Sequence, residues 1–359
     1  MRHMLNMATV FLAALCLTGG LASISAAPPG KTKVAVIQAT GSPRQDPFKA
    51  GYDSTKVRAM SQAHLDKLLG LIDRAGEMGA DIVCGPEDMQ HIGGYGLHVD
   101  RRDPETGEIL FSGMAVEVPG PLSERIAAIA RKHSMYVVAP IYEKENGKVY
   151  NSSLVFDRQG ELIGRHRKTV LPIMETWLVT PGTGYEVFET DFAPIAISTC
   201  WEITYPEIHR IYALEGARLI FHPTMGRENS DGSLDTAHRY LTRATDDRVW
   251  LAPVILGTDG NGIISPTGEV LAEAVGARDT VIMAEIDFSE RFLSKSTWWN
   301  TINGSNDNRA IHFLSRRPGI WGKLADLRPP LASEFESVRL TTGDREAQFE
   351  AVREVDYGP

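Results

Sequence analysis

Residues 61–88, SQAHLDKLLGLIDRAGEMGADIVCGPED, carry one full cycle of helix, stop and strand. Ala63, Leu65, Leu68, Leu69, Leu71, Ile72 and Ala75 recur at the spacing of one helix face, so an amphipathic helix is predicted over 61–78. Gly79 supplies the stop that such a helix favours. Residues 81–87, DIVCGPE, then form an apolar run of strand length, broken by Gly85-Pro86. The break leaves a carboxylate, Glu87, just past the strand end.

The cycle repeats in both directions. Upstream, 33–39 (KVAVIQA) predicts an opening strand; downstream, 122–133 predicts a helix and 135–140 and 150–156 predict strands. Residues 157–160 (DRQG) form a turn from which 161–165 returns toward Lys168. Strands are predicted at 192–200, 217–221 and 249–256, helices at 205–216 and 234–247, and a hairpin at 262–271 around Pro266-Thr267-Gly268. Strands that alternate with helices and are joined by hairpins predict one mixed-sheet α/β domain over 27–290. Residues 291–359 lack that alternation and are expected to be an irregular C-terminal extension. It packs on the domain, contacts a second subunit or stays loosely ordered.

With 359 residues, 43% of them hydrophobic, the chain can bury a large core. A formal net charge of −9 and the lack of a basic stripe exclude a nucleic-acid binder, since phosphate recognition needs clustered Lys and Arg. Residues 1–26 run from Arg2 and His3 through an apolar stretch to Ser23, Ser25 and Ala26, the order of a cleaved signal peptide. The apolar run is short for a membrane span and broken by Gly19-Gly20, so stable membrane insertion is not expected. Leu15 before Cys16 argues against lipidation. The mature protein is therefore expected to be exported, periplasmic or secreted, and removal of Cys16 leaves at most one disulfide, Cys84 to Cys200.

Three reactive side chains stand just beyond three predicted strands: Glu87, Lys168 and Cys200. In α/β sheets ligands bind beyond the carboxyl ends of strands, so the three can share a pocket. A free thiol, with a pKa of ~8.5, needs a base or a nearby cation to become a nucleophile. Glu87 suits the first role and Lys168 the second, and the N–H of Trp201 is a second oxyanion donor if the chain turns sharply after Cys200. Each residue alone has a plainer reading: a buried small hydrophobe for Cys200, a helix-start carboxylate for Glu87, a solvated basic turn for Lys168. The combination at three strand ends outweighs them.

The words GPED at Glu87, GRHRKTVLP at Lys168 and STCWEITYPEIHR at Cys200 resemble the glutamate, lysine and cysteine boxes of the nitrilase, or carbon–nitrogen hydrolase, superfamily. Further matching words, from KVAVIQA through YNSSLVFDRQGELIGRHRK, TPGTGYEVFET and GARLIFHPT to GIISPTGEVLAEA and AEIDF, follow the family's order over about 33–288. The resemblance implies an α-β-β-α sandwich and hydrolysis of a non-peptide C–N bond through a thioester. It implies Glu87 as general base, Lys168 as oxyanion-stabilising cation and Cys200 as nucleophile, with no metal or organic cofactor. A second glutamate is expected beside the lysine, either Glu175 in LPIMETW or Glu143 in PIYEKENG. Homodimers or higher homo-oligomers are common in the family and expected here.

The branch follows from smaller differences. Cys200-Trp201-Glu202 resembles the box of true nitrilases, but Ile203 stands where they carry Asn; LPIME followed by TPGT is more similar to amidases and carbamoylases. An amide or N-carbamoyl substrate is therefore expected ahead of a nitrile. The lipoprotein acyltransferase branch is set aside because its multi-span membrane region is missing. Trp201, Glu202, Tyr205 and Trp177 are candidate walls of the substrate pocket. His209, His222 and His238 lack compact ligand spacing, and no metal site is expected. Asn151 and Asn303 match glycosylation sequons. The rival class, an exported noncatalytic small-molecule-binding protein, would call for two similar α/β lobes and a hinge, and no such boundary is visible.

Overall fold

The computed structural model describes residues 30–325 apart from 44, 46–50, 98–101, 104, 173, 227–232, 258, 292 and 294–306. The predicted signal peptide, Asn303 and most of the C-terminal extension lie outside the described residues. Two six-stranded sheets form its centre. The first contains β1 (Thr32–Gln38), β2 (Ile82–Cys84), β3 (Tyr136–Glu145), β4 (Lys148–Phe156) and β5 (Leu162–Arg167). The second contains β6 (Val187–Phe188), β7 (Ile195–Ile197), β8 (Leu219–Thr224), β9 (Trp250–Ile255), β10 (Gly262–Ile264) and β11 (Val270–Glu273). The last strand, β12 (Thr280–Ile286), returns to the first sheet and pairs antiparallel with β1.

The strand orders are β12-β1-β2-β3-β4-β5 and β11-β10-β9-β8-β7-β6. Each sheet has three parallel strands at its centre, β1-β2-β3 and β7-β8-β9, flanked by antiparallel ones. Strand β1 shows why both faces are apolar. Val34 and Val36 point between the sheets, where they meet Ile82, Val138, Ile197 and Phe221, whereas Ala35 and Ile37 point outward onto helices. The period of two along a strand thus feeds two cores at once.

Helices α1 (Ser54–Glu77), α2 (Leu110–Met114) and α3 (Pro121–His133) follow in chain order, and α1 and α3 cover the first sheet through Leu68, Ile72 and Ile126. Helices α4 (Pro206–Leu214) and α5 (His238–Asp247) cover the second through Tyr212, Tyr240 and Ala244. The layers are therefore α-β-β-α, as the resemblance implied. Several elements differ from expectation. Helix α1 starts at Ser54 because Asp53 caps it, accepting from the N–H groups of Thr55 and Lys56, and Val57 already packs inward. The 192–200 strand shrinks to Ile195–Ile197, because Ser198 and Thr199 leave the ladder for a turn. The 234–247 helix is split: a 3-10 turn at Leu234–Thr236 precedes α5. The C-terminal extension contains a short helix, α6 (Asn308–Leu314), capped by Asp307 and tied to the domain by Arg309, which donates to the carbonyls of Gly216 and Ala217.

No helix among the described residues is long and apolar enough to cross a membrane. Cys84 and Cys200 are both free, so the one possible disulfide is not formed; Cys84 is sealed in the inter-sheet core.

Candidate active site

Four chain segments that leave strand ends converge on one cavity of about 290 Å³. The first follows β2. Gly85 N–H and Met89 N–H bond to the carbonyls of Val138 and Pro140, and the Asp88 carboxylate accepts from Ile92 and Gly93 N–H. This knotted loop holds Glu87 inward, with 2% of its surface exposed. Gly93 must be small, because a Cβ there would lie 3.0 Å from both Asp88 Oδ2 and Tyr142 Oη.

Lys168 follows β5, anchored by its own N–H to the Asn151 carbonyl, and is equally buried. Its Nζ donates to Glu87 Oε1 at 3.2 Å and to Glu175 Oε2 at 2.6 Å. Asn151 on β4 completes the cluster: its Nδ2 donates to Glu87 Oε1 at 2.9 Å and to Glu175 Oε1 at 2.8 Å. Glu87 Oε2 accepts the N–H of Met225, just past β8, at 2.8 Å. Glu143 is elsewhere, buried on β3 among Ser152, Arg165 and Arg167. Of the two expected auxiliary glutamates, Glu175 is therefore the one at the lysine.

Cys200 opens a 3-10 turn (Cys200–Thr204) with φ of 50°, a left-handed conformation unusual for a residue with a side chain. The strained corner turns its thiol into the cavity. Burial, the Glu87 charge and the Glu175 charge push that thiol up to about 12 against the pull of Lys168 and a hydrogen bond with Thr224. Lys168 is itself lowered by burial, but the Glu87, Cys200 and Glu175 charges outweigh this and raise it, so it stays an ammonium. Burial raises the Glu175 carboxyl above its usual range. One ammonium thus serves two carboxylates, and a thiolate would add a third negative charge. Passing the thiol proton to Glu87 avoids that excess, which is what a general base beside a nucleophile has to do.

The remaining wall is apolar: Phe111, Tyr142, Pro172, Leu178, Val179 and Met225. Burial and the nearby carboxylates hold the Tyr142 hydroxyl well above its usual range, so it remains a neutral phenol. The expected wall residues are placed differently. Trp201 and Tyr205 are 45% and 40% exposed, because the turn at Cys200 swings their side chains outward. Trp177 is buried behind the surface, and Glu202 is completely buried with both oxygens hydrogen-bonded; neither lines the cavity. His209 and His222 are fully buried, and burial keeps them neutral, down to about 3 and about 4. No His/Cys/Asp/Glu group among the described residues could hold a metal ion. Asn151 is 2% exposed and doubly engaged, which rules out its sequon as a sugar acceptor. No local signal marked its role, since it opens the polar stretch Asn151-Ser152-Ser153 of β4.

Residues 33–291 match the family profile described as carbon-nitrogen hydrolase. The omega-amidase of Bos taurus is 28% identical over 265 residues, covering 68% of this chain and 90% of that protein. A bifunctional nitrilase/nitrile hydratase of Lupinus angustifolius is 27% identical over 308 residues, covering 72% and 87%. Among solved structures, a variant of the amidase from Nesterenkonia sp. AN1 superposes with a TM-score of 0.57 at 18% identity, covering 83% of this chain and 99% of that one. That variant carries the acetamide moiety of fluoroacetamide covalently on its active-site cysteine. The profile match runs from β1 through β12 and so takes in both sheets and the segments that hold Glu87, Lys168, Glu175 and Cys200; the chain belongs to the carbon–nitrogen hydrolase family and is an enzyme of that kind.

Proposed function

We propose that this enzyme hydrolyses the amide of a compact, apolar carboxylic acid, with Cys200 as nucleophile, Glu87 as general base and acid, and Lys168 as the cation at the oxyanion. The observation that carries the reading is the shared contact of Lys168 with Glu87 and Glu175 in the wall of the cavity that Cys200 enters. Glu87 takes the Cys200 proton, and the thiolate attacks the amide carbon. The oxyanion is held by Lys168 Nζ and the Trp201 N–H. Protonated Glu87 passes its proton to the nitrogen, the C–N bond breaks, and ammonia or an amine leaves a thioester. Glu87 then takes a proton from water, the hydroxide adds to the thioester, and the Cys200 thiolate departs from the free acid. Glu175 acts through Lys168 by holding its Nζ.

The acyl preference rests on the wall. Among the described residues lining the cavity Lys168 is the only cation, so an anionic tail has no partner there, whereas Phe111, Leu178, Val179 and Met225 offer apolar contact. Ammonia release from a series of primary amides, N-carbamoyl compounds and nitriles tests the reading, with Cys200→Ala alongside. Turnover fastest on apolar primary amides and lost in the variant is expected. Activity that survives in Cys200→Ala would sink the mechanism, and preference for dicarboxylic acid amides would sink the acyl assignment.

The same reading includes export and self-association. Charge, apolar run and small residues in the first 26 positions support cleavage near Ala26, which N-terminal sequencing of the secreted protein checks. Phe313, Leu314, Ile320 and Leu324 expose more than half of their apolar surface, which supports a subunit contact through the C-terminal segment and is checked by sedimentation.

A further inference from the structure

Cys200 and Lys168 come from different sheets. Cys200 follows β7 of the second and Lys168 follows β5 of the first. Their relative position therefore depends on what ties the two loops together behind the cavity. One buried carboxylate spans both. Glu202 Oε1 accepts from Thr169 N–H at 2.8 Å and from Thr169 Oγ1 at 2.6 Å, and Oε2 accepts from Thr199 N–H at 2.7 Å. Thr169 is the residue after Lys168, and Thr199 is the residue before Cys200. A fourth contact, to His166 Nε2 at 2.9 Å, comes from β5 itself. We propose that Glu202, with His166 as its buried counter-ion, is a positioning residue that sets the distance and angle between the Lys168 ammonium and the Cys200 thiol. This rests on the catalytic roles proposed above.

Three features distinguish a positioning role from ordinary packing. Glu202 closes the nucleophile turn as well as bridging it: Glu202 N–H donates to the Thr199 carbonyl at 3.1 Å while its side chain bonds back to Thr199 N–H. Those two bonds hold Cys200 at a positive φ, a left-handed conformation that a residue with a side chain rarely adopts. Next, only a carboxylate offers acceptors to all four donors; an amide would turn an NH₂ toward two of them. Finally, a buried ion pair is no better for stability than a well-packed apolar pair, so its effect is to be sought in geometry. The pair is sealed, with Glu202 and His166 both at zero exposure.

The groups facing the pair are consistent with a charged strut. His166 Nδ1 lies 3.4 Å from Glu186 Oε2 and 3.3 Å from the Tyr212 hydroxyl, and Tyr185 Oη lies 3.4 Å from Thr169 Oγ1. Arg165 and Arg167 are occupied by Glu143, and Lys168 by Glu87 and Glu175. Burial alone would neutralise His166, but the Glu202 and Glu186 carboxylates outweigh it and push the imidazole up to about 9. Glu202, which burial raises, is pulled down to about 2 by His166 and its hydrogen bonds.

The test uses the full-length enzyme and its best amide from the panel, comparing wild type with Glu202→Gln, His166→Gln, Thr169→Val and the double variant Glu202→Gln/His166→Gln. Two readouts are taken: kcat against KM, and the pH profile of Cys200 alkylation by iodoacetamide. Loss of a charged hydrogen bond is worth about 1.5–3 kcal/mol, so Glu202→Gln should lower kcat roughly ten- to hundredfold with KM nearly unchanged. Its alkylation profile should move to higher pH, because Lys168 no longer faces the thiol in register. The double variant should be no worse than Glu202→Gln alone, since one strut is lost in both. Thr169→Val removes a single hydroxyl and should give a smaller fall of the same kind; it decides the matter if Glu202→Gln fails to fold. A lower melting temperature with unchanged kcat per folded molecule and an unchanged alkylation profile would overturn the proposal. Failure of the hydrolase reading is distinguishable, since it shows in wild type against Cys200→Ala while the alkylation profile still reports position.

Discussion

His166 and Lys168 stand two residues apart on one strand end, yet the charge around them is arranged in opposite ways. His166 has a carboxylate, Glu202, on one face and the half-exposed Glu186 at a longer distance on the other. Lys168 is shared at close range by the buried Glu87 carboxylate and the partly buried Glu175 carboxylate, beside a thiol. In the sealed pair each group deepens the other's charge: the carboxylate goes down, the imidazole up. At the cavity burial, joined by the excess negative charge, raises Glu175 and Cys200 instead. A balanced pair holds its protons where they are and makes a strut. An unbalanced cluster keeps one proton close to transfer and makes a reaction centre.

The largest break in that comparison is removal of the shared cation. Lys168→Met leaves Glu87 and Glu175 buried without an ammonium, and breaking a buried pair this way costs about 3–5 kcal/mol of stability. Activity should fall roughly a hundred- to a thousandfold, the scale of a lost oxyanion donor. The stability deficit, measured by denaturant titration, should shrink as pH falls, since the Glu175 carboxyl, which burial raises, then takes up a proton. A deficit independent of pH, or activity within tenfold of wild type, would mean that Lys168 does not neutralise these carboxylates.

The balanced pair makes a smaller prediction of opposite sign. The folded-state pKa of His166, about 9, lies above its ordinary 6.5, so its contribution to stability is complete below pH ~6.5 and is lost as pH rises toward 9. Glu202, at about 2, lies below its ordinary 4.5, so its contribution is complete above pH ~4.5 and is lost as pH falls toward 2. The pair therefore contributes most between about pH 4.5 and 6.5. The gap in melting temperature between wild type and His166→Gln should be widest in that window and narrow by pH 9; a constant gap would show that His166 is neutral throughout.

How much of this could be read beforehand depends on whether a residue acts through its neighbours in the chain or across it. Glu87, Lys168 and Cys200 end predicted strands, and their local words placed them at one face of the domain. The helix stop at Gly79 and the turn at 157–160 were equally local. Asn151, Tyr142 and Phe111 were not legible, since they reach the cavity only through the pairing of β3 with β4 and the packing of α2. Strand β12 was invisible for the same reason: its place is fixed by β1, some 250 residues earlier in the chain. Glu202 was misplaced in the pocket because sequence adjacency to Cys200 says nothing of the direction its side chain takes after a left-handed corner.

Trp201 offers the smallest and sharpest test of that last point. It stands between Cys200 and Glu202, but only its backbone N–H has a part in the proposed reaction. Its indole is 45% exposed and absent from the cavity wall, while the residues on either side are fixed by the turn. Trp201→Ala keeps the N–H and, with little buried area to lose, should shift stability by no more than about 0.5 kcal/mol, as surface changes usually do. Both kcat and KM for a small amide should stay within about threefold, since neither the oxyanion contact nor the strut is touched. A KM that rises tenfold with kcat unchanged would show that the indole folds over bound substrate and would return Trp201 to the pocket. A fall in kcat alone would instead mean that the indole holds the nucleophile turn, so that Glu202 shares its positioning role with the residue beside it.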